Sequence, residues 1–300
     1  MSFRNWLLLL LLGAVWGGSF LFAKVAVAEI PPLVLVFLRV SLAAVVLHAV
    51  LRLTRRPFPF EPRMLGAFLI MGLLNNAVPF SLIFWGQTAI AAGLASILNA
   101  TTPIFTFLVA AVVLKQEPVR LYRIAGVLVG FGGVLLMLMQ SLESNGNDPL
   151  WAQLACLGAA VSYALAAAFG RRFKHLPPMV SAAGQLSGST LIMLPVALLT
   201  LGSWSPLETS GFVWLNVLAL GVLATAFAYL LYFKLLADAG ATNASLVTLL
   251  VPASAILFGS LLLGEQLKGY QLGGFALLLA GLLLLDGRIL NLAGLKRAAR

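Results

Sequence analysis

The 300 residues are 61% hydrophobic and only 9% charged, with a mean hydropathy of +1.04, which leaves too few charges to solvate a globular surface. The net charge of +10 would suit nucleic acid if it lay on one soluble face, but the basic residues fall almost wholly between apolar stretches. That excludes a nucleic-acid-binding domain and points to membrane lipid as the partner of the charge.

Ten apolar spans follow, each near the ~20 residues a helix needs to cross the hydrocarbon: 5–28, 33–53, 64–86, 92–114, 120–140, 150–170, 179–201, 211–234, 243–263 and 269–287. The connections are short, and several hold Pro or Gly, as at Pro31-Pro32, Pro118, Gly146-Asn147 and Pro177-Pro178. The first span has Arg4, the run Leu7 to Leu12 and Ala26-Val27-Ala28, a pattern shared with secretory signals. Its echo in the second half, at Gly158 and Pro177-Pro178, favours a retained helix.

Trp16 lies halfway along this span among Gly13, Gly17 and Gly18, where its N–H needs a partner or a wet cavity, and Lys24 lies in the outer half. Span two carries Arg39 a couple of turns inside, and a lone His48. Ionisable groups at such depth mark function by default, receiving a substrate carboxylate or pairing with Glu29; for Lys24 the competing reading is snorkelling.

Span three contributes Asn75, Phe80 and Phe84, and its Pro79 cannot donate to the carbonyl of Asn75. In span four, Ser96, Asn99 and Thr106 share a helical stripe with Pro103, which releases the carbonyl of Asn99. Span five carries Gly126, Gly130 and Gly133 at close-packing spacing.

Span six holds Tyr163 and the single cysteine, Cys156, so there is no disulfide framework or cysteine-based metal site. Span seven places the uncharged Gln185 where span two has Arg39, and span eight adds Tyr229 and Tyr232. In span nine Ser245 and Thr248 repeat the polar stripe with Pro252, which releases the carbonyl of Thr248. Span ten has Gly273, Gly274 and Gly281. Helix-to-helix hydrogen bonding and ordinary aromatic packing compete with a substrate pathway for each of these side chains taken singly.

The chain is one unit written twice. Pro103 matches Pro252, Glu117 matches Glu265 after a one-residue offset, and Tyr122, Gly126 and Gly133 match Tyr270, Gly274 and Gly281. With the N-terminus inside, 16 of the 19 lysines and arginines lie on the inner side, among them Arg288, Lys296, Arg297 and Arg300, and only Lys24, Arg39 and Lys268 lie outside. The positive-inside bias therefore sets both termini in the cytoplasm. Five helices per copy then make the copies antiparallel: an all-α membrane protein of ten transmembrane helices, two inverted five-helix repeats around a central cavity. The expected units are 1–140, 148–290 and a basic cytoplasmic tail, 291–300.

This architecture predicts a transporter with its site near the midplane, on Trp16, Asn75, Phe80, Phe84, Ser96, Asn99, Tyr163, Tyr229, Tyr232, Ser245 and Thr248, with Lys24 and Arg39 as charge partners. All nine acids lie at span ends or in loops, which favours facilitated diffusion over proton coupling. Absence of a P-loop, a zinc-binding His pair or a nucleophile elbow argues against an enzyme, a metal ion, a cofactor or primary active transport. A lipid scramblase and a non-transporting scaffold are the readings from other classes.

The repeated Pro, Glu, Tyr and Gly pattern and the Trp16-Gly17 start resemble the paired EamA-type domains of the drug/metabolite transporter superfamily, over about 5–287. The helix-four copy departs at Lys115-Gln116-Glu117, where the second copy reads Gly264-Glu265. Within the superfamily the chain is similar to bacterial inner-membrane exporters of aromatic and other neutral amino acids. The resemblance implies export of an amino acid by alternating access, from a basket of helices acting as a monomer or weak homodimer; efflux of amphipathic drugs is the alternative.

Overall fold

The computed structural model describes residues 1–115, 117–143 and 148–287. The Gly146-Asn147 connection and the basic residues from Arg288 onward lie outside the described residues.

Ten helices cross the structure among the described residues: α1 (Phe3–Ala26), α2 (Pro32–Leu53), α3 (Pro62–Gln87), α4 (Ala92–Val113), α5 (Leu121–Glu143), α6 (Leu150–Phe173), α7 (Pro178–Leu199), α8 (Gly211–Ala239), α9 (Val247–Leu263) and α10 (Gly269–Asp286). All but α9 are long and apolar enough to span a bilayer alone; α9 has 17 residues and is led in by the one-turn helix Ala241–Ala244. Several starts are set by proline in the first turn, where its missing N–H costs nothing: Pro32, Pro62 and Pro178. The chain is thus the ten-helix all-α membrane protein expected from the spans.

The two halves interleave in matched pairs. α1 packs on α9 and α6 on α4; α3 meets α6 and α7, while α8 meets α1 and α2; α2 packs on α7 and α5 on α10. The last pair shows the two-fold relation residue by residue. A Cβ placed on Gly281 would lie 2.6 Å from the Gly126 carbonyl oxygen, and one on Gly274 would lie 2.7 Å from that of Gly133. Gly126 and Gly133 are the repeat counterparts of Gly274 and Gly281, so exchanging the halves maps one contact onto the other. The glycine stripes are used inside the bundle, where absent side chains let backbones touch. A second matched pair follows: Gly72 of α3 lies against Gln185 and Ser189 of α7, and Gly221 of α8 against Arg39 and Leu42 of α2.

Three of the ten helices, and the lead into a fourth, are interrupted in ways that α-helical periodicity does not signal. α3 and α8 contain π turns at Leu73–Ala77 and Ala219–Phe227. α4 is broken at Ala100-Thr101 and carries another π turn at Val109–Val113. The continuous span expected over 243–263 is broken at Ser245-Leu246. Ser245 therefore sits in the break and not on a helical stripe with Pro252.

Candidate functional site

The halves enclose a cavity of about 790 Å³. Its wall includes Trp16 of α1, Arg39 of α2, Asn75, Phe80 and Phe84 of α3, Ser96, Asn99 and Pro103 of α4, Tyr163 of α6, Tyr229 and Tyr232 of α8, and Ser245, Thr248 and Pro252 at the start of α9. It extends to the bundle end that carries Glu117, Arg123 and Asp286. Lys24 and Pro79 are not part of the wall.

The π turns aim the polar groups. Arg39 is 7% exposed, its Nε donates to Thr225 Oγ1 at 3.0 Å on the α8 π turn, and its guanidinium carbon lies 3.8 Å from the centroid of Phe80 and 5.7 Å from that of Phe84. On the other arm, Asn75 of the α3 π turn donates from Nδ2 to Gln185 Oε1 at 3.0 Å, and the Tyr229 hydroxyl stands 3.4 Å from Asn75 Nδ2 and 3.5 Å from Gln185 Nε2. The arms repeat one design, a polar side chain from α2 or α7 held by a π turn of the opposite half and covered by an aromatic of its own half. One arm is a cation and the other is neutral.

Around this ring, Trp16 packs on Tyr232 at 5.5 Å between centroids, and Phe80 stacks on Phe84 at 6.3 Å. Ser96 Oγ and Asn99 Oδ1, both on the wall, have no hydrogen-bond partner. Two buried polar groups without partners beside a cation and aromatic faces make a surface for a small solute with a carboxylate, further polar groups and an apolar body.

The released carbonyls behave differently from the sequence expectation. Thr102 Oγ1 donates to the Asn99 carbonyl at 2.7 Å, so the acceptor that Pro103 frees is already used. In α3 the π register pairs the Val78 N–H with the Leu73 carbonyl, which moves the donor missing at Pro79 from Asn75 to Leu74; Ser162 Oγ fills that place at 2.7 Å. Thr248 spends its hydroxyl on the Ser245 carbonyl at 2.8 Å.

Glu29 does not pair with Lys24 or Arg39. It accepts from the N–H and hydroxyl of Ser210 at 2.7 and 2.8 Å. Lys24 Nζ donates to the carbonyls of Gln87 and Ile90 at 2.7 and 2.8 Å, closing the C-terminal end of α3, where a cation meets the negative end of the helix dipole. Thr225 and Thr102 are site residues the periodicity missed, since both act from positions where the helix is irregular.

A model of the family described as "EamA-like transporter family" matches residues 4–139 and again 150–285. The chain belongs to the EamA-like transporter family. EamA-like relatives include "Uncharacterized transporter YoaV" of Bacillus subtilis, 28% identical over 82% of this chain and 84% of that protein, and "Protein PagO" of Salmonella typhimurium, 27% identical over 83% and 82%. An Escherichia coli relative, "Uncharacterized inner membrane transporter YedA", is 26% identical over 82% of this chain and 78% of its own. A solved crystal structure shares the EamA-like fold at TM-score 0.64 and 21% identity, covering 95% of this chain and 96% of that one. This EamA-like protein is a multi-pass membrane transporter with a cavity between its halves.

Proposed function

We propose that the protein exports amino acids, preferring aromatic or bulky neutral ones, across the bacterial inner membrane by facilitated diffusion. The observation that carries this reading is Arg39, a buried guanidinium on the cavity wall with no carboxylate partner among the described residues. A buried cation without an acid is costly, and a solute carboxylate supplies the missing charge through a bidentate pair. Nε is held by Thr225, so the terminal nitrogens serve the solute. Trp16, Phe80, Phe84, Tyr163, Tyr229 and Tyr232 contact its apolar part; Asn75, Ser96, Asn99, Ser245 and Thr248 meet its remaining polar groups.

In this reading residues 1–140 and 148–290 are the two moving halves, 291–300 is a basic cytoplasmic tail, and both termini are cytoplasmic by the positive-inside bias. The cavity end at Glu117 and Asp286 then faces the cytoplasm, the side from which an exporter loads.

The test is uptake of labelled phenylalanine into proteoliposomes of purified protein, with Trp16→Ala and an imposed pH gradient as parallel arms. Saturable uptake that weakens in the variant and ignores the gradient supports the proposal. Uptake no greater than in empty vesicles, with folded protein, overturns it. The cavity volume favours one second reading, efflux of larger amphipathic solutes, since about 790 Å³ suits drug-sized ligands; broad competition without stereoselectivity would identify it.

A further inference from the structure

We propose that Glu265 is the latch that seals the cavity at the end opposite Glu117 and Asp286, and that it must let go for the solute to leave on that side. The inference rests on transport by alternating access between the halves.

The seal joins the two repeats through one carboxylate. Glu265 Oε1 accepts from the Ala92 N–H at 2.8 Å and Oε2 from the Gly93 N–H at 3.2 Å. These amides open the first segment of α4, Ala92–Asn99, whose own N-cap residue, Ala91, offers no side-chain acceptor. The other half of the molecule thus supplies the cap, with its negative charge at the positive end of a helix dipole.

The chain around Glu265 is shaped to make this reach possible. α9 ends in Gly264 at φ +66°, a left-handed conformation that favours glycine, and the Glu265 N–H turns back to the Gly259 carbonyl at 3.0 Å. The carboxylate then lies over Gly259, where a methyl group would collide with it.

Below the latch α4 and α9 stay together: a Cβ on Gly93 would lie 3.4 Å from Ile256 and 3.6 Å from Leu267. Beyond the break at Ala100-Thr101 they part, with Thr102, Thr106 and Phe107 on one side of the cavity and Thr248, Val251 and Pro252 on the other. Among the described residues the counterpart carboxylate, Glu117, pairs with Arg123 of its own half. One end of the α4–α9 seam is therefore latched and the other spread. A path through the latched end requires the Ala92 and Gly93 bonds to break.

The experiment places a reporter cysteine in the cavity by Thr106→Cys, with Cys156→Ala removing the native thiol, and applies a membrane-impermeant thiol reagent to each face separately. Labelling from the open face serves as the folding control. The expected result is slow labelling from the latched face in the parent, rising about tenfold in Glu265→Ala and in Gly259→Ala, which keeps the charge but displaces it. If either variant fails to insert, Glu265→Asp, too short to reach both amides, takes its place. Latched-face labelling unchanged from the parent, in protein that labels normally from the open face, overturns the proposal. Solute identity does not enter the readout, so an incorrect substrate assignment leaves the result intact.

Discussion

The guanidinium carbon of Arg39 lies 3.8 Å from the centroid of the Phe80 ring, while Thr225 of the opposite half holds the Arg39 Nε. The contact keeps a buried cation desolvated on one face and directed at the cavity on the other. Replacing Arg39 by Gln removes the charge and leaves the fold, so transport of a carboxylate solute should fall at least about tenfold, as for loss of a charge-assisted pair worth ~1.5–3 kcal/mol. Arg39→Lys should not restore it, because an ammonium lacks the planar fork that both stacks and binds bidentately. Initial-rate uptake in proteoliposomes checks both variants.

Trp16 and Tyr232 meet at 5.5 Å on the cavity wall. Trp16→Ala should weaken binding of an aromatic solute by ~0.5–1.5 kcal/mol beyond the loss of contact area, and affect a small aliphatic one less. Competition between phenylalanine and alanine in the two proteins measures that difference, which a general loss of stability would not produce.

Two glycines of neighbouring helices make opposite predictions. A Cβ on Gly281 would sit 2.5 Å from the Gly130 nitrogen, against rigid backbone, so Gly281→Ala should cost ~1–3 kcal/mol and lower the melting temperature in detergent. Gly132, on α5, has nothing within 4 Å of the same position, and Gly132→Ala should be neutral or stabilise by up to ~1 kcal/mol through helix propensity.

Thr102 occupies the acceptor that Pro103 releases. Thr102→Val keeps the shape and strands the Asn99 carbonyl, at a cost of ~1–3 kcal/mol, while Thr102→Ser should retain stability. If the melting temperatures of the two variants coincide, the hydroxyl is not what satisfies the break.

The architecture was legible because its marks are residues with single meanings. Pro103 and Pro252, and the paired glycines of α5 and α10, stand at repeat-related positions whatever the local hydrogen bonding. The cavity wall was legible where it comes from regular helix, as with Trp16 and Phe80. It was obscured at the irregular turns. A π turn shifts facing without changing composition, so Thr225 did not show as the partner of Arg39, nor Ser162 as the donor that replaces the one missing at Pro79. Glu265 showed only as a mark of the repeat, and its contacts stayed hidden for another reason: its partners are backbone amides, which carry no signature in a sequence.

The contacts of Gly126 with Gly281 and of Gly133 with Gly274 change places when the halves are exchanged. Each copy therefore supplies the bare backbone that its twin needs, and a side chain acquired at one of these glycines would be felt by both. The seam ties the duplicated halves to a shared history even where the rest of their surfaces has diverged.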